Sequence, residues 1–291
     1  MKITGLIFLL TLLSATALPQ LQKAKQADDS KPFVLGVIDE ISSNELAEKR
    51  TLNIYLPDGY SKNDTARYPV VYLLDGGADE DFIHVAGIYQ FNSFPWIDRV
   101  PRSIVVGVSN VDRQRDFTFP THIEADKKKY KTSGHSEKFI AFIEKELQPF
   151  IQKKYHAAEV KTIIGQSLAG LLAAEILLKK PLLFDKYIII SPSLWWDNGS
   201  LLTQAAAISK NTSLPNTQVY IGVGKEGLSP GDIPHVGEVD ANLLAEKLIS
   251  LNNKNVIVSF DYLPQEDHAT VSHQAIFNAL RILFPKQNGN K

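Results

Sequence analysis

Ile163-Ile164-Gly165-Gln166-Ser167-Leu168-Ala169-Gly170 joins an apolar run, 162–164, to a Leu- and Ala-rich stretch, 167–179, that has helical spacing. A serine at a strand-to-helix junction fits a strained turn that lifts its hydroxyl above a sheet edge, provided the residues two places to either side are small. Gly165 and Ala169 are those residues. At the head of the following helix, the N–H of Leu168 has no intrahelical acceptor and lies at the positive end of the dipole, where it can stabilise an oxyanion. A plain helix N-cap would also put a serine here, so the rest of the chain must discriminate.

Outward from this turn, apolar runs alternate with helical patterns. Residues 33–41 and 50–56 roughly alternate apolar and polar side chains, and the second run ends at Pro57-Asp58-Gly59, which predicts antiparallel strands at a sheet edge. Runs 70–74, 104–108, 162–164, 187–190, 219–223 and 256–262 are mostly continuous and apolar, as in parallel strands buried on both faces. Stretch 135–154 carries Phe139, Ile140, Ile143, Leu147, Phe150 and Ile151 on one face; 167–179, 241–251 and 273–284 complete the helices. This alternation predicts an α/β fold, a mostly parallel, doubly wound sheet with helices on both faces. No repeat or long linker divides it, so one domain over residues 32–285 is expected, with room for a small cap between the 187 and 219 strands.

At 291 residues, 44% hydrophobic and 22% charged, the chain can bury a sizeable core. Its net charge of -1 argues against nucleic acid as a partner, and Lys127-Lys128-Lys129 reads as a solvated face. Met1-Lys2, an apolar stretch over 3–13 and Ala15-Thr16-Ala17 have the charge, length and A-x-A pattern of a signal peptide over residues 1–17, followed by a flexible lead-in over 18–31. That stretch is short for a spanning helix, so a periplasmic or secreted protein with no stable membrane anchor is expected. With no cysteine there is no disulfide, lipoprotein thiol, Cys nucleophile or thiolate metal site. The sequons at Asn63, Asn198 and Asn211 arise too easily by chance to identify a host.

Acyl transfer from a serine needs a base, and in a fold of this kind the order along the chain is nucleophile, acid, histidine. Only His268 and His273 follow the last strand. His268 sits in the polar loop Pro264-Gln265-Glu266-Asp267-His268-Ala269-Thr270 and is the chosen base, whereas His273 falls in the first turn of the final helix. Glu226, just after the 219–223 strand, is the first choice for the orienting acid. Asp232, Glu238 and Asp240 come close behind it and stay open as alternatives, as does a Ser-His dyad. A second oxyanion donor is expected after the 70–74 strand, from the N–H of Gly77 or alternatively Gly76.

Several blocks together resemble an esterase family of α/β-hydrolases, the one that includes enterobactin-type siderophore esterases, feruloyl and acetylxylan esterases, formylglutathione hydrolase and the mycolyltransferases. They are Tyr68-Pro69-Val70-Val71-Tyr72-Leu73-Leu74-Asp75-Gly76, Val105-Val106-Gly107-Val108-Ser109, the elbow at Ser167, and Ser191-Pro192-Ser193-Leu194-Trp195-Trp196. The resemblance spans most of residues 50–284. It implies the α/β-hydrolase fold and carboxylic-ester chemistry. Trp195 and Trp196 are expected either to wall an aromatic or sugar ring or to cover the core. Asp112-Arg113-Gln114-Arg115-Asp116-Phe117 resembles the family's Arg-containing loop, in which Arg113 would bind an anionic group of the substrate or pair with nearby carboxylates. The chain departs from the pattern at Ala169, where the second elbow glycine is replaced, at Gln166, where many relatives carry His, and at Ala269, where relatives often have Gly.

The expected reaction is hydrolysis of a small-molecule ester, of siderophore-lactone or acylated-carbohydrate type, with no metal or organic cofactor. Ser167 attacks, His268 moves the proton, Glu226 orients His268, and Leu168 and Gly77 hold the oxyanion. Two other readings stay open: an acyltransferase using the same acyl-enzyme, and a non-catalytic binding protein on a hydrolase scaffold.

Overall fold

The computed structural model describes residues 30–63, 65–203, 216–230 and 233–286. The expected signal peptide, most of the lead-in, Asn211 and Asp232 lie outside the described residues. The chain divides into two units, Met1–Val34 and Leu35–Lys291, and the second carries the sheet and its helices.

Among the described residues eight strands form one sheet: β1 (Gly36–Ser43), β2 (Glu48–Tyr55), β3 (Tyr68–Leu73), β4 (Ile104–Val108), β5 (Ala157–Gln166), β6 (Lys186–Ile190), β7 (Thr217–Gly224) and β8 (Val256–Leu263), in the order β1-β2-β4-β3-β5-β6-β7-β8. β1 pairs antiparallel with β2 and β2 antiparallel with β4, making the expected edge, and the remaining pairs are parallel. From β3 the chain steps outward to β4 and then returns to β5 on β3's other side. The carboxyl ends of β3 and β5 therefore flank the switch point, where an open α/β sheet leaves a crevice.

Alternation along the strands divides the core between two faces. Val70, Tyr72, Ile163, Tyr187 and Ile189 join a cluster with helix residues such as Phe139, Leu171 and Leu244. Their neighbours Val71, Leu73, Ile164, Ile188 and Ile190 pack with Val85, Ala86, Ile276 and Leu280 on the opposite side. The helix Leu168–Lys179 is buried all round from Leu168 to Leu178, which is why it shows little amphipathic pattern and reads as a continuous apolar stretch.

Three expectations need correction. The 135–154 stretch is two helices, Ser136–Phe142 and Gln148–Lys154, joined by a π-helical turn over Ile143–Leu147. Pro149 lies in the first turn of the second helix and has no N–H to continue an α-helical ladder, so the bonding shifts just before it. The run at 256–262 is not buried on both faces: β8 ends the sheet, and most of its side chains are partly exposed. Helices Phe82–Asn92, Arg113–Phe117 and Glu124–Lys129 escape the sequence pattern, because their apolar residues keep no sustained period of 3.6.

Candidate active site

The elbow is fixed by close packing. A Cβ at Gly165 would run into the Ala169 carbonyl oxygen, so only glycine lets strand and helix meet there. Ser167 has φ 60° and ψ −121°, a costly conformation for a residue with a side chain. Its N–H donates to the Ile190 carbonyl (3.0 Å), and its own carbonyl accepts from the N–H groups of Leu171 (2.9 Å) and Ser193 (3.0 Å). The strain is thus held by the neighbouring strand, the following helix and the turn after β6.

Ser167, His268 and Glu226 come together at the carboxyl edge, 101 residues separating the first two in sequence. His268 Nε2 is 3.1 Å from Ser167 Oγ, and His268 Nδ1 is 2.5 Å from Glu226 Oε2. An ionised carboxylate can only accept, so Nδ1 carries the proton and Nε2 faces the serine as an acceptor. The hydrogen bond that His268 donates to Glu226 raises the His268 pKa above the ordinary imidazole value, with desolvation opposing it. Of the alternative acids, Glu238 Oε2 accepts from the N–H groups of Glu226 (3.2 Å) and Gly227 (2.9 Å), bracing the loop, while Asp240 pairs with His235 Nδ1 at 2.8 Å. His273 Nδ1 lies 2.7 Å from His84 Nε2 and does not face the serine.

Contacts that the sequence does not reveal hold these groups in place. Ser191 Oγ donates to the other Glu226 oxygen, Oε1, at 2.5 Å, and Ser193 Oγ is 3.3 Å from Ser167 Oγ. Gln166 donates through Nε2 to the His268 carbonyl and accepts at Oε1 from Ser272 Oγ (2.5 Å), tying the elbow to the histidine loop. Asp267 Oδ1 accepts from the N–H of Ala269 (2.8 Å) and of Thr270 (3.1 Å), shaping that loop ahead of the final helix. The only sequence signal for the two serines is their place in the Ser191-Pro192-Ser193 block.

Ser167, Leu168, Glu226 and His268 line a cleft of about 330 Å³ together with Arg113 and Trp195. A second hollow of about 170 Å³ shares Tyr130, Trp195 and Pro230 with it. Arg113 spends Nε and Nη2 on Asp75 (2.7 and 2.9 Å), and Nη2 also reaches the Gln166 carbonyl (3.2 Å), so it braces the elbow from the cleft wall. The tryptophans part company. Trp195 borders the cleft, but Trp196 is 0% exposed and donates from Nε1 to the Phe119 carbonyl at 2.9 Å. Its expected place as a substrate wall is therefore corrected: it is a core residue that anchors the turn after β6.

The backbone N–H groups expected to hold an oxyanion differ in what they already bond. Leu168 N–H opens the helix and makes no hydrogen bond among the described residues. Gly77 N–H donates to Glu80 Oε2 at 2.7 Å, and Asn110 Nδ2 donates to Glu80 Oε1 at 2.7 Å, so the Gly77 donor is occupied by Glu80. Gly76 N–H is committed to the Val108 carbonyl at 3.0 Å. Among the described residues no group of three or more acidic or histidine side chains is arranged to hold a metal, and no helix is long and apolar enough to cross a membrane.

Known proteins and solved structures share this sequence pattern and this sheet. The family model Esterase, described as "Putative esterase", matches residues 43–243. The ferri-bacillibactin esterase BesA of Bacillus subtilis (strain 168) is 28% identical over 251 residues, covering 80% of this chain and 85% of BesA. An IroE-like serine hydrolase from Shewanella oneidensis superposes with a TM-score of 0.76 at 32% identity, over 86% of this chain and 80% of that one. The BES protein from Bacillus cereus gives a TM-score of 0.76 at 26% identity, over 90% of this chain and 100% of the other. By its sequence match, its sheet and its structural neighbours, the chain belongs to this esterase family of the α/β-hydrolase fold.

Proposed function

We propose that the protein is a serine esterase that cleaves a carboxylic ester through an acyl-enzyme, with Ser167 as nucleophile, His268 as general base and acid, and Glu226 as the acid that orients it. The observation that carries this reading is the unbroken line from Ser167 Oγ through His268 to Glu226, 3.1 and 2.5 Å, on the wall of an open cleft. As Ser167 Oγ bonds to the ester carbon, its proton passes to His268 Nε2, and Glu226 stabilises the imidazolium that forms. Leu168 N–H, joined by Gly77 N–H once Glu80 has moved, holds the oxyanion. Collapse expels the alkoxide, which takes the proton from Nε2. Water, deprotonated by the same histidine, then releases the acid.

The substrate class proposed is a siderophore lactone or an acylated carbohydrate. The names of BesA and of the siderophore hydrolases among the similar structures support the first. The half-buried Trp195 beside Ser167 supplies a surface suited to an aromatic ring or a sugar. Export is proposed from the pattern of residues 1–17 alone. Turnover of aryl acetates, feruloyl sugars and catecholate trilactones, with products identified by mass spectrometry, tests the reading. Fastest cleavage of the trilactone, one ester at a time, is the expected result; no cleavage of any ester contradicts it.

A further inference from the structure

Ser191, immediately after β6, is 4% exposed and has φ 41°, in the left-handed region where glycine is the undemanding choice. Its N–H is taken by the Gly222 carbonyl at 2.8 Å, so the backbone is fixed without help from the side chain. A serine retained at such a position points to a task for the hydroxyl. That hydroxyl donates to Glu226 Oε1, the oxygen that His268 does not use, at 2.5 Å. Glu226's side chain is 11% exposed, so without Ser191 this oxygen would be nearly dry and without a donor among the described residues.

We propose that Ser191 is a positioning residue of the relay, holding the Glu226 carboxylate so that Oε2 stays in line with His268 Nδ1. This rests on the serine-esterase reading above. The hydroxyl also draws electron density from the carboxylate, so its removal leaves Glu226 a stronger acceptor for the imidazolium and raises the pH at which His268 becomes a base. The charged groups that act on His268 are Glu226, Arg113 and Asp267, and Glu238 faces Glu226 only through the backbone N–H. None of the last three hydrogen-bonds to the Ser191 side chain among the described residues, so a change at Ser191 reaches His268 through Glu226.

Ser191→Gly and Ser191→Ala separate the hydroxyl from the backbone. Glycine relieves the positive φ and alanine keeps it, while both remove the donor. In the full-length protein, both variants are expected to lose about 10-fold to 100-fold in kcat, the range for a lost hydrogen bond to a charged group, with KM within about twofold. The acid limb of their pH–rate profiles should move to higher pH, and the glycine variant should melt above the alanine variant, because both leave the Glu226 oxygen without its donor and only glycine is at ease at φ 41°. A Ser191→Gly enzyme with wild-type kcat and pH profile overturns the proposal, even if Ser191→Ala is impaired, since strain alone would then explain the alanine result. Ser167→Ala, run in parallel with a fluorophosphonate probe, separates the two claims. If it stays labelled and active, the serine-esterase reading fails; if it is dead and unlabelled while Ser191→Gly behaves as wild type, only the Ser191 assignment falls.

Discussion

Glu226→Gln isolates the charge of the third member of the proposed relay. The amide is isosteric, its oxygen can still accept from His268 Nδ1, and its NH₂ can turn to the Ser191 hydroxyl, which rotates to accept. What disappears is the negative charge beside the imidazolium that the proposed mechanism forms when Ser167 attacks. For charge centres about 4 Å apart near a protein surface, the Coulomb attraction is about 4 kcal/mol. His268's side chain is 51% exposed, so with solvent screening this figure is the upper end of a range of about 2–4 kcal/mol. That range corresponds to a loss of about 30-fold to 1,000-fold in kcat/KM. If the amide turned its NH₂ toward Nδ1 instead, the wrong tautomer would be favoured and the loss would approach about 10⁴-fold. The pH profile adds a signed test. Glu226 raises the His268 pKa, and the base must be neutral, so the wild-type acid limb should lie above the ordinary imidazole value of about 6.5. Removing the charge should move that limb to lower pH, opposite to the shift expected for Ser191→Gly. Initial rates with a p-nitrophenyl ester between pH 5 and pH 9 would measure both effects (roughly the window of an imidazole titration). A Glu226→Gln enzyme within about threefold of wild type, with an unmoved limb, would refute the assignment of the acid.

Three further outcomes come from the geometry. Glu80→Ala frees the Gly77 N–H, so kcat/KM should rise by about 2- to 10-fold, the worth of one neutral hydrogen bond no longer contested; a fall in steady-state rate would show that the carboxylate is needed to shape the loop. Trp195→Ala should raise KM for aromatic esters by about 3- to 10-fold with little change in melting, whereas Trp196→Ala should cost about 3–5 kcal/mol in denaturant unfolding; the reverse pattern would contradict their placement. Asp116→Ala should destabilise the fold by about 2–4 kcal/mol, because Arg50 and Asp116 are each 1% exposed and paired, with Glu48 left as Arg50's partner; an unchanged unfolding midpoint would contradict this.

What is legible in the sequence is local or ordered along the chain. The apolar strand, Gly165, Ser167 and the Leu-rich helix stand within about 20 residues of one another, and their order suggests an elbow that the histidine and the other blocks then separate from a plain helix N-cap. His268 comes from chain order, and Glu226 from its place just after β7. The unread contacts depend on distant segments meeting. Ser191 is 35 residues from Glu226, and Gln166 is 106 from Ser272, with no spacing rule to mark either. Gly77 is legible as a loop glycine and Glu80 stands only three residues on, but Asn110, which holds the other Glu80 oxygen, comes from 30 residues away. Trp195 and Trp196 are identical letters side by side, separated only by the 3₁₀ turn that begins at Trp196 and sends one to the cleft and the other to Phe119. Pattern likewise cannot tell the edge strand β8 from a central one, since both read as apolar runs.

Covalent labelling at Ser167 tests the central claim most directly. Intact protein treated with a fluorophosphonate, digested and mapped by mass spectrometry should carry one adduct, on the peptide containing Ser167, with ester hydrolysis lost in proportion. Ser167→Ala should take no label and hydrolyse no ester. An adduct on any other residue, or equal labelling and turnover by Ser167→Ala, would contradict the account.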